Sequence, residues 1–100
     1  MEGKKIDVFY HSTAKGSISR IGAYIEMKGY PETAEKFTDR LYEFGDSLGI
    51  LPEKYPLCHF QKFLKYLMHC AVFEKNYVFV YKIISKRLVI YNVVHIKALS

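Results

Sequence analysis

Ile6, Val8 and Tyr10 alternate with Asp7, Phe9 and His11, a period of two that predicts a short strand over 6–11. The period then lengthens. Ala14, Ile18, Ile21 and Ile25 recur at helical spacing, an apolar stripe that leaves Lys15, Arg20, Glu26 and Lys28 outside it. Ser12 and Thr13 offer capping oxygens for a helix beginning near Ala14. Gly29-Tyr30-Pro31 ends that helix, because glycine permits a left-handed cap and proline cannot continue the hydrogen-bond ladder. Pro31 suits the first turn of a second helix, where Glu32 and Glu35 complement the dipole. Its apolar face is Ala34, Phe37, Leu41, Phe44 and Leu48, and Gly49 and Pro52 close it. Two amphipathic helices with so short a link predict an antiparallel hairpin.

Residues 50–60 carry Pro52 and Pro56 without a period and read as a loop; 60–68 fit a helical turn or an extended segment equally. The pattern then turns to β. Strands are predicted over 69–74, 77–84 and 87–97, with turns at Lys75-Asn76 and Ser85-Lys86. On the last strand Leu88, Ile90, Asn92, Val94 and Ile96 face one way; Arg87, Val89, Tyr91, Val93, His95 and Lys97 face the other. The order β-α-α-β-β-β predicts an α+β fold, an antiparallel sheet covered on one face by the helix hairpin. Part of the basic and aromatic set falls to the opposite face. One domain over 1–100 is expected at this length.

Half of the residues are hydrophobic and 16% are aromatic, which excludes intrinsic disorder. No apolar run reaches the roughly 20 residues that cross a bilayer. The first residues lack the hydrophobic stretch of a secretion signal. Cys58 and Cys70 are too few for a disulfide scaffold and fit a reducing compartment, so a cytoplasmic location is expected. With His59 and His69 they supply four nitrogen or sulfur donors. Neither adjacent pair has the spacing of a zinc site, and no metal or cofactor is expected. The net charge of +5 is uneven: residues 1–59 balance at −1, whereas 60–100 hold seven Lys/Arg against Glu74 alone, +6. A one-sided field of this kind favours a polyanionic or acidic partner.

Several segments in sequence resemble the RelE/ParE superfamily of toxins from type II toxin–antitoxin pairs. The resemblance runs through the strand-to-helix entry with Ala14, Tyr24-Ile25, Ala34 with Leu41, and Ser47-Leu48 to Leu51-Pro52. It continues through Asn76-Tyr77-Val78-Phe79-Val80-Tyr81-Lys82-Ile83 and closes on Val89-Ile90-Tyr91-Asn92-Val93-Val94-His95. It implies a growth inhibitor held inactive by an antitoxin, whose acidic or amphipathic tail would meet the +6 section, giving a hetero-oligomer with no role for a membrane. RelE-like members cut messenger RNA on the ribosome, whereas ParE-like members poison DNA gyrase. The nucleases hold phosphate with Arg and Lys on the exposed sheet face. Their Arg early in the penultimate strand matches Val78 here, their later Arg matches Lys97, and the Tyr beyond it is missing. These departures favour the gyrase-directed reading, with ribonuclease or an inactive, antitoxin-binding member as alternatives.

If the chain is a nuclease, His95 is the acid or base and Lys97 its catalytic partner, with Lys82, Arg87 and Tyr91 as phosphate or target contacts. The strand parity places His95 with Arg87, Tyr91 and Lys97. The plainer reading of His95 is a structural or exposed histidine at a strand end. Tyr77 and Tyr81 fall at core parity, which makes them sheet-core residues before stacking platforms for bases.

Overall fold

The computed structural model describes residues 5–99, so the reading of residues 1–4 as lacking a secretion signal, and Ser100, lie outside it. Its elements are β1 (Asp7–Tyr10), α1 (Ser12–Met27), α2 (Pro31–Ser47), α3 (Gln61–Leu64), β2 (His69–Phe73), β3 (Tyr77–Ile84) and β4 (Arg87–His95). A 3-10 turn, Ile96–Leu99, follows β4. The four strands form one sheet in the order β1-β4-β3-β2, and α1 and α2 pack on one face. Among the described residues no helix is long and apolar enough to cross a membrane.

The helices form where the apolar stripes require them. Ala14, Ile18 and Leu41 are buried against Phe79, Tyr81, Leu88, Ile90 and Val93, with Ile21, Phe37 and Phe44 packed around them. The expected Ser12/Thr13 cap is corrected: His11 caps α1, its Nδ1 accepting from the Thr13 N–H at 3.1 Å. An imidazole lone pair does the work assigned to a hydroxyl. Gly29 takes φ +95° and lets the chain reverse into Pro31. Gly45 is needed for a close approach, because a Cβ there would lie 3.0 Å from Ile90 Cδ1.

The expected all-antiparallel sheet is corrected at one edge, where β1 pairs with β4 in parallel, Tyr10 opposite Ile90. β2, β3 and β4 are antiparallel as expected. Ser85 and Lys86 turn the β3–β4 hairpin with φ +49° and +66°, the twist that matches its strands. In the β2–β3 hairpin the two left-handed residues are Glu74 and Lys75, one position earlier than expected, and Asn76 donates back to the Phe73 carbonyl.

A bulge changes the reading of β4. Val80 pairs with Asn92 but Tyr81 pairs with Ile90, so Tyr91 is the extra residue and the alternation reverses across it. Val93 joins Leu88 and Ile90 in the core beneath the helices, while Val94 joins the opposite face. β4 also ends at His95, two residues before the expected end.

The opposite face is not left open. Cys58, Phe63, Cys70, Val78 and Val80 form a second buried cluster with Phe60, Met68, Val94, Ile96 and Leu99. The 57–68 segment folds across the β2–β3 half of the sheet to make it. Cys58 and Cys70, read from the sequence as fitting a reducing compartment, are joined by a disulfide.

Tyr81 is fully buried beneath the helices, its hydroxyl donating to the Pro52 carbonyl at 2.7 Å. Burial first, and then Tyr55 and Glu53 nearby, push its pKa up to about 12. A phenol raised above its unfolded value near 10 contributes full stability below that value. That contribution is lost as pH rises from 10 towards 12. Urea midpoints are therefore expected to hold to about pH 9.5 and fall steeply above it. Tyr81→Phe is expected to reduce the fall, with the remainder left by Tyr10 and Tyr77, whose phenols burial also raises, at a cost of about 1 kcal/mol near neutrality from the lost hydrogen bond.

Candidate functional site

The bulge builds a groove. By turning Val93 and His95 towards α1, it opens a depression of about 570 Å³ between that helix and the end of the β3–β4 hairpin. Ser17, Arg20, Ile21 and Tyr24 line it from one face of α1; Tyr77, Val93, His95 and Lys97 line it from the sheet and the turn after it. None of these residues is acidic. Arg20 and Lys97 give the groove a positive sign, and Tyr24, Tyr77 and His95 give it an aromatic wall. Such a lining suits an anionic group carried on an apolar or aromatic body.

A relay fixes the helix wall. The Ser17 hydroxyl donates to Asn92 Oδ1 at 2.6 Å and accepts from Arg20 Nη2 at 3.2 Å. Asn92 Oδ1 also accepts the Val93 N–H at 2.8 Å, so that this backbone donor is satisfied. One amide thus locks the bulge, ties α1 to the sheet and orients Arg20. Asn92→Ala is expected to cost about 1–3 kcal/mol, since it leaves a half-buried N–H and hydroxyl unmatched. A urea denaturation series checks this, with Asn92→Asp as the variant that keeps the acceptor.

His95 is oriented by the backbone that follows it. Its Nδ1 accepts the Lys97 backbone N–H at 3.1 Å, which leaves the ring proton on Nε2. The ring packs edge-on against Tyr77 with centroids 5.1 Å apart. His95 thus turns its Nε2 edge to the groove. Tyr77 has its pKa raised by burial and, secondarily, by Tyr24, so its phenol is a neutral donor.

The other expected contacts lie elsewhere. Arg87 begins β4 and His95 ends it, about 26 Å apart at the strand rise of roughly 3.3 Å per residue. The Arg87 guanidinium sits over Phe9, 5.4 Å from the ring centroid. Lys82 lies in the same region, opposite Val89, on the face away from the helices. Tyr91, on the bulge, has its ring against His11, centroids 5.6 Å apart. The expected common face of Arg87, Tyr91, His95 and Lys97 is therefore corrected: only His95 and Lys97 meet in the groove. Arg20 was missed because the helical pattern marks it only as solvent-facing. Its spacing from Ser17 and Tyr24, three before and four after, was the signal available.

A second depression, about 540 Å³, lies in the crotch of the helix hairpin and is lined by Glu26, Glu32 and Glu35. Its sign is opposite to that of the groove.

The profile of a known family, the ParE toxin of type II toxin–antitoxin systems (parDE), matches residues 8–98. The chain belongs to the ParE toxin family. The match runs from within β1 to within the 3-10 turn and takes in the whole groove. No curated protein matches the sequence. A solved structure described as the chromosomal ParDE TA system from P. aeruginosa superposes with a TM-score of 0.76. It covers 91% of this chain and 96% of that one at 12% identity, a likeness of fold. As a ParE-type toxin of a type II pair, the chain has an antitoxin as its implied partner.

Proposed function

We propose that this toxin stops growth by binding DNA gyrase, the target of ParE-like members of the superfamily, and does not cut messenger RNA. The observation that carries the reading lies at the start of β3. Where RelE-like nucleases place an Arg, Val78 is fully buried in the cluster on the far face of the sheet. Its groove-side neighbour Tyr77 supplies no positive charge. Catalytic roles for His95 and Lys97, with phosphate held by Lys82, Arg87 and Tyr91, would need one cluster. These side chains occupy three separate places. Among the described residues the groove has cations and no acid in its lining, which supports docking of an acidic antitoxin segment. A gyrase target places the toxin in the cytoplasm.

Induction of the toxin in bacteria, with and without its antitoxin, tests the reading. Double-strand breaks and altered supercoiling are expected with messengers intact, and His95→Ala is expected to remain toxic. Messenger cleavage abolished by His95→Ala would establish the nuclease instead. Harmless expression would mark an inactive, antitoxin-binding member.

A further inference from the structure

The Cys58–Cys70 pair lies away from the groove, and the function proposed above makes no use of it. We propose that it is a reversible thiol–disulfide exchange site, reduced by dithiols, whose state fixes or releases the loop over 59–68.

The two backbones are held side by side by more than the sulfurs. The Cys58 N–H donates to the Met68 carbonyl at 2.6 Å and the Cys70 N–H to the Pro56 carbonyl at 3.3 Å. Leu57 and His69 form a bridge between them, and the two Cα atoms are 4.8 Å apart. Reduction therefore leaves two neighbouring thiols that an oxidised dithiol, a disulfide taking up the two electrons and two protons, can rejoin by the reverse exchange.

The loop itself has little else to order it. Its helix, α3, is four residues long, far below the length that is stable alone. Apart from the Met68 carbonyl bonded to Cys58 at its base, its backbone hydrogen bonds are local turns, from Phe63 to Phe60, Tyr66 to Phe63 and Leu67 to Leu64. Phe63 is its one buried side chain, while Leu64, Tyr66 and Leu67 are 50%, 49% and 64% exposed. Leu67 is also held at φ +54°, a region that a γ-branched residue rarely adopts.

Both cysteines are buried in the far-face cluster, to which the loop contributes Phe60, Phe63 and Met68, whereas the helix-side core is a separate cluster. Opening of the loop thus exposes the disulfide without opening the main core. A thiolate of the dithiol then attacks one sulfur, forming a mixed disulfide and releasing the other as a thiolate. The second thiol of the reductant attacks the mixed disulfide. The chain gains two electrons and two protons, and the dithiol leaves as its own disulfide. Oxidised, the chain holds Leu64, Tyr66 and Leu67 beside Lys62 and Lys65 as one fixed basic and apolar tip. Reduced, it loses that surface.

Hydrogen exchange on the full chain, before and after dithiothreitol, tests this, with alkylation and mass analysis to count thiols. Reduction is expected to speed exchange over 59–68 at least tenfold, to leave 78–83 and α1 unchanged, and to reverse on reoxidation. The Cys58→Ser/Cys70→Ser variant is expected to match the reduced chain and ignore dithiothreitol. Three results would overturn the proposal: unchanged exchange over 59–68, faster exchange throughout the core, or a disulfide that dithiothreitol cannot reduce in the folded chain. A double variant that fails to fold would count with the second.

Discussion

Replacing Arg20 and Lys97 together by Glu is expected to weaken antitoxin binding by about 100-fold or more, equivalent to about 2.7 kcal/mol. The change converts an acid-free groove with two cations into one with two anions. Like charges facing across an interface cost several kcal/mol, and the loss is larger where aromatic walls exclude water. Part of the effect acts on encounter, so the wild-type association rate is expected to fall as salt shortens the screening length from about 10 Å at 0.1 M. The same reversal at Lys82 and Arg87, on the far face and at the other end of the sheet, is the control. It alters net charge equally and is expected to change affinity by less than about tenfold, since rim charges act chiefly on encounter rates. Calorimetric titration at two salt concentrations measures both. Equal losses from the two pairs would show that the groove has no special place in binding.

Phe79→Ala is expected to be the most destabilising single change, by about 3–5 kcal/mol. Phe79 is fully buried at the centre of the sheet, with the Phe44 ring edge-on at 5.0 Å and Phe73 at 6.3 Å. Its removal takes contacts from both the helix layer and β2, leaving a cavity that aromatic neighbours cannot readily fill. Against a total stability of about 5–15 kcal/mol, that loss leaves little margin. Urea denaturation reads it directly. Val80→Ala, on the far face, is expected to cost less, because it deletes two methyl groups and leaves the helix-side core whole. This asymmetry ranks the two clusters: the helix-side core holds the fold, and the far-face cluster seats the stapled loop.

The helices were readable from the sequence because their stripes repeat over several turns, as Ala34, Phe37, Leu41, Phe44 and Leu48 do. The hairpins were readable within a residue because strand propensity breaks sharply around Ser85-Lys86. Four features were not. Parallel pairing of β1 with β4 is a long-range choice that no local pattern encodes. The bulge at Tyr91 hides in a run, Tyr91-Asn92-Val93-Val94, where both parities give acceptable faces. That slip turned His95 from an expected partner of Arg87 and Tyr91 into a neighbour of Tyr77 and Arg20. The disulfide was not legible, because two cysteines twelve positions apart say nothing of the antiparallel pairing that brings them together. The far-face cluster was hidden for the same reason, as its residues come from a loop without a period.

The charge asymmetry survives in changed form. The +6 section does not make one basic face; its cations divide among the loop tip, the two hairpin turns, the far face and the groove. Only the groove combines them with a cation from α1, and Arg20 belongs to the half of the sequence that balances near neutrality.

Supercoiling by purified DNA gyrase, with the purified toxin and translating ribosomes carrying labelled messenger in parallel reactions, separates the readings without the cell. Inhibited supercoiling, its recovery on adding antitoxin, and messenger left intact are predicted. Gyrase active at toxin excess while ribosome-bound messenger is cut would contradict the account.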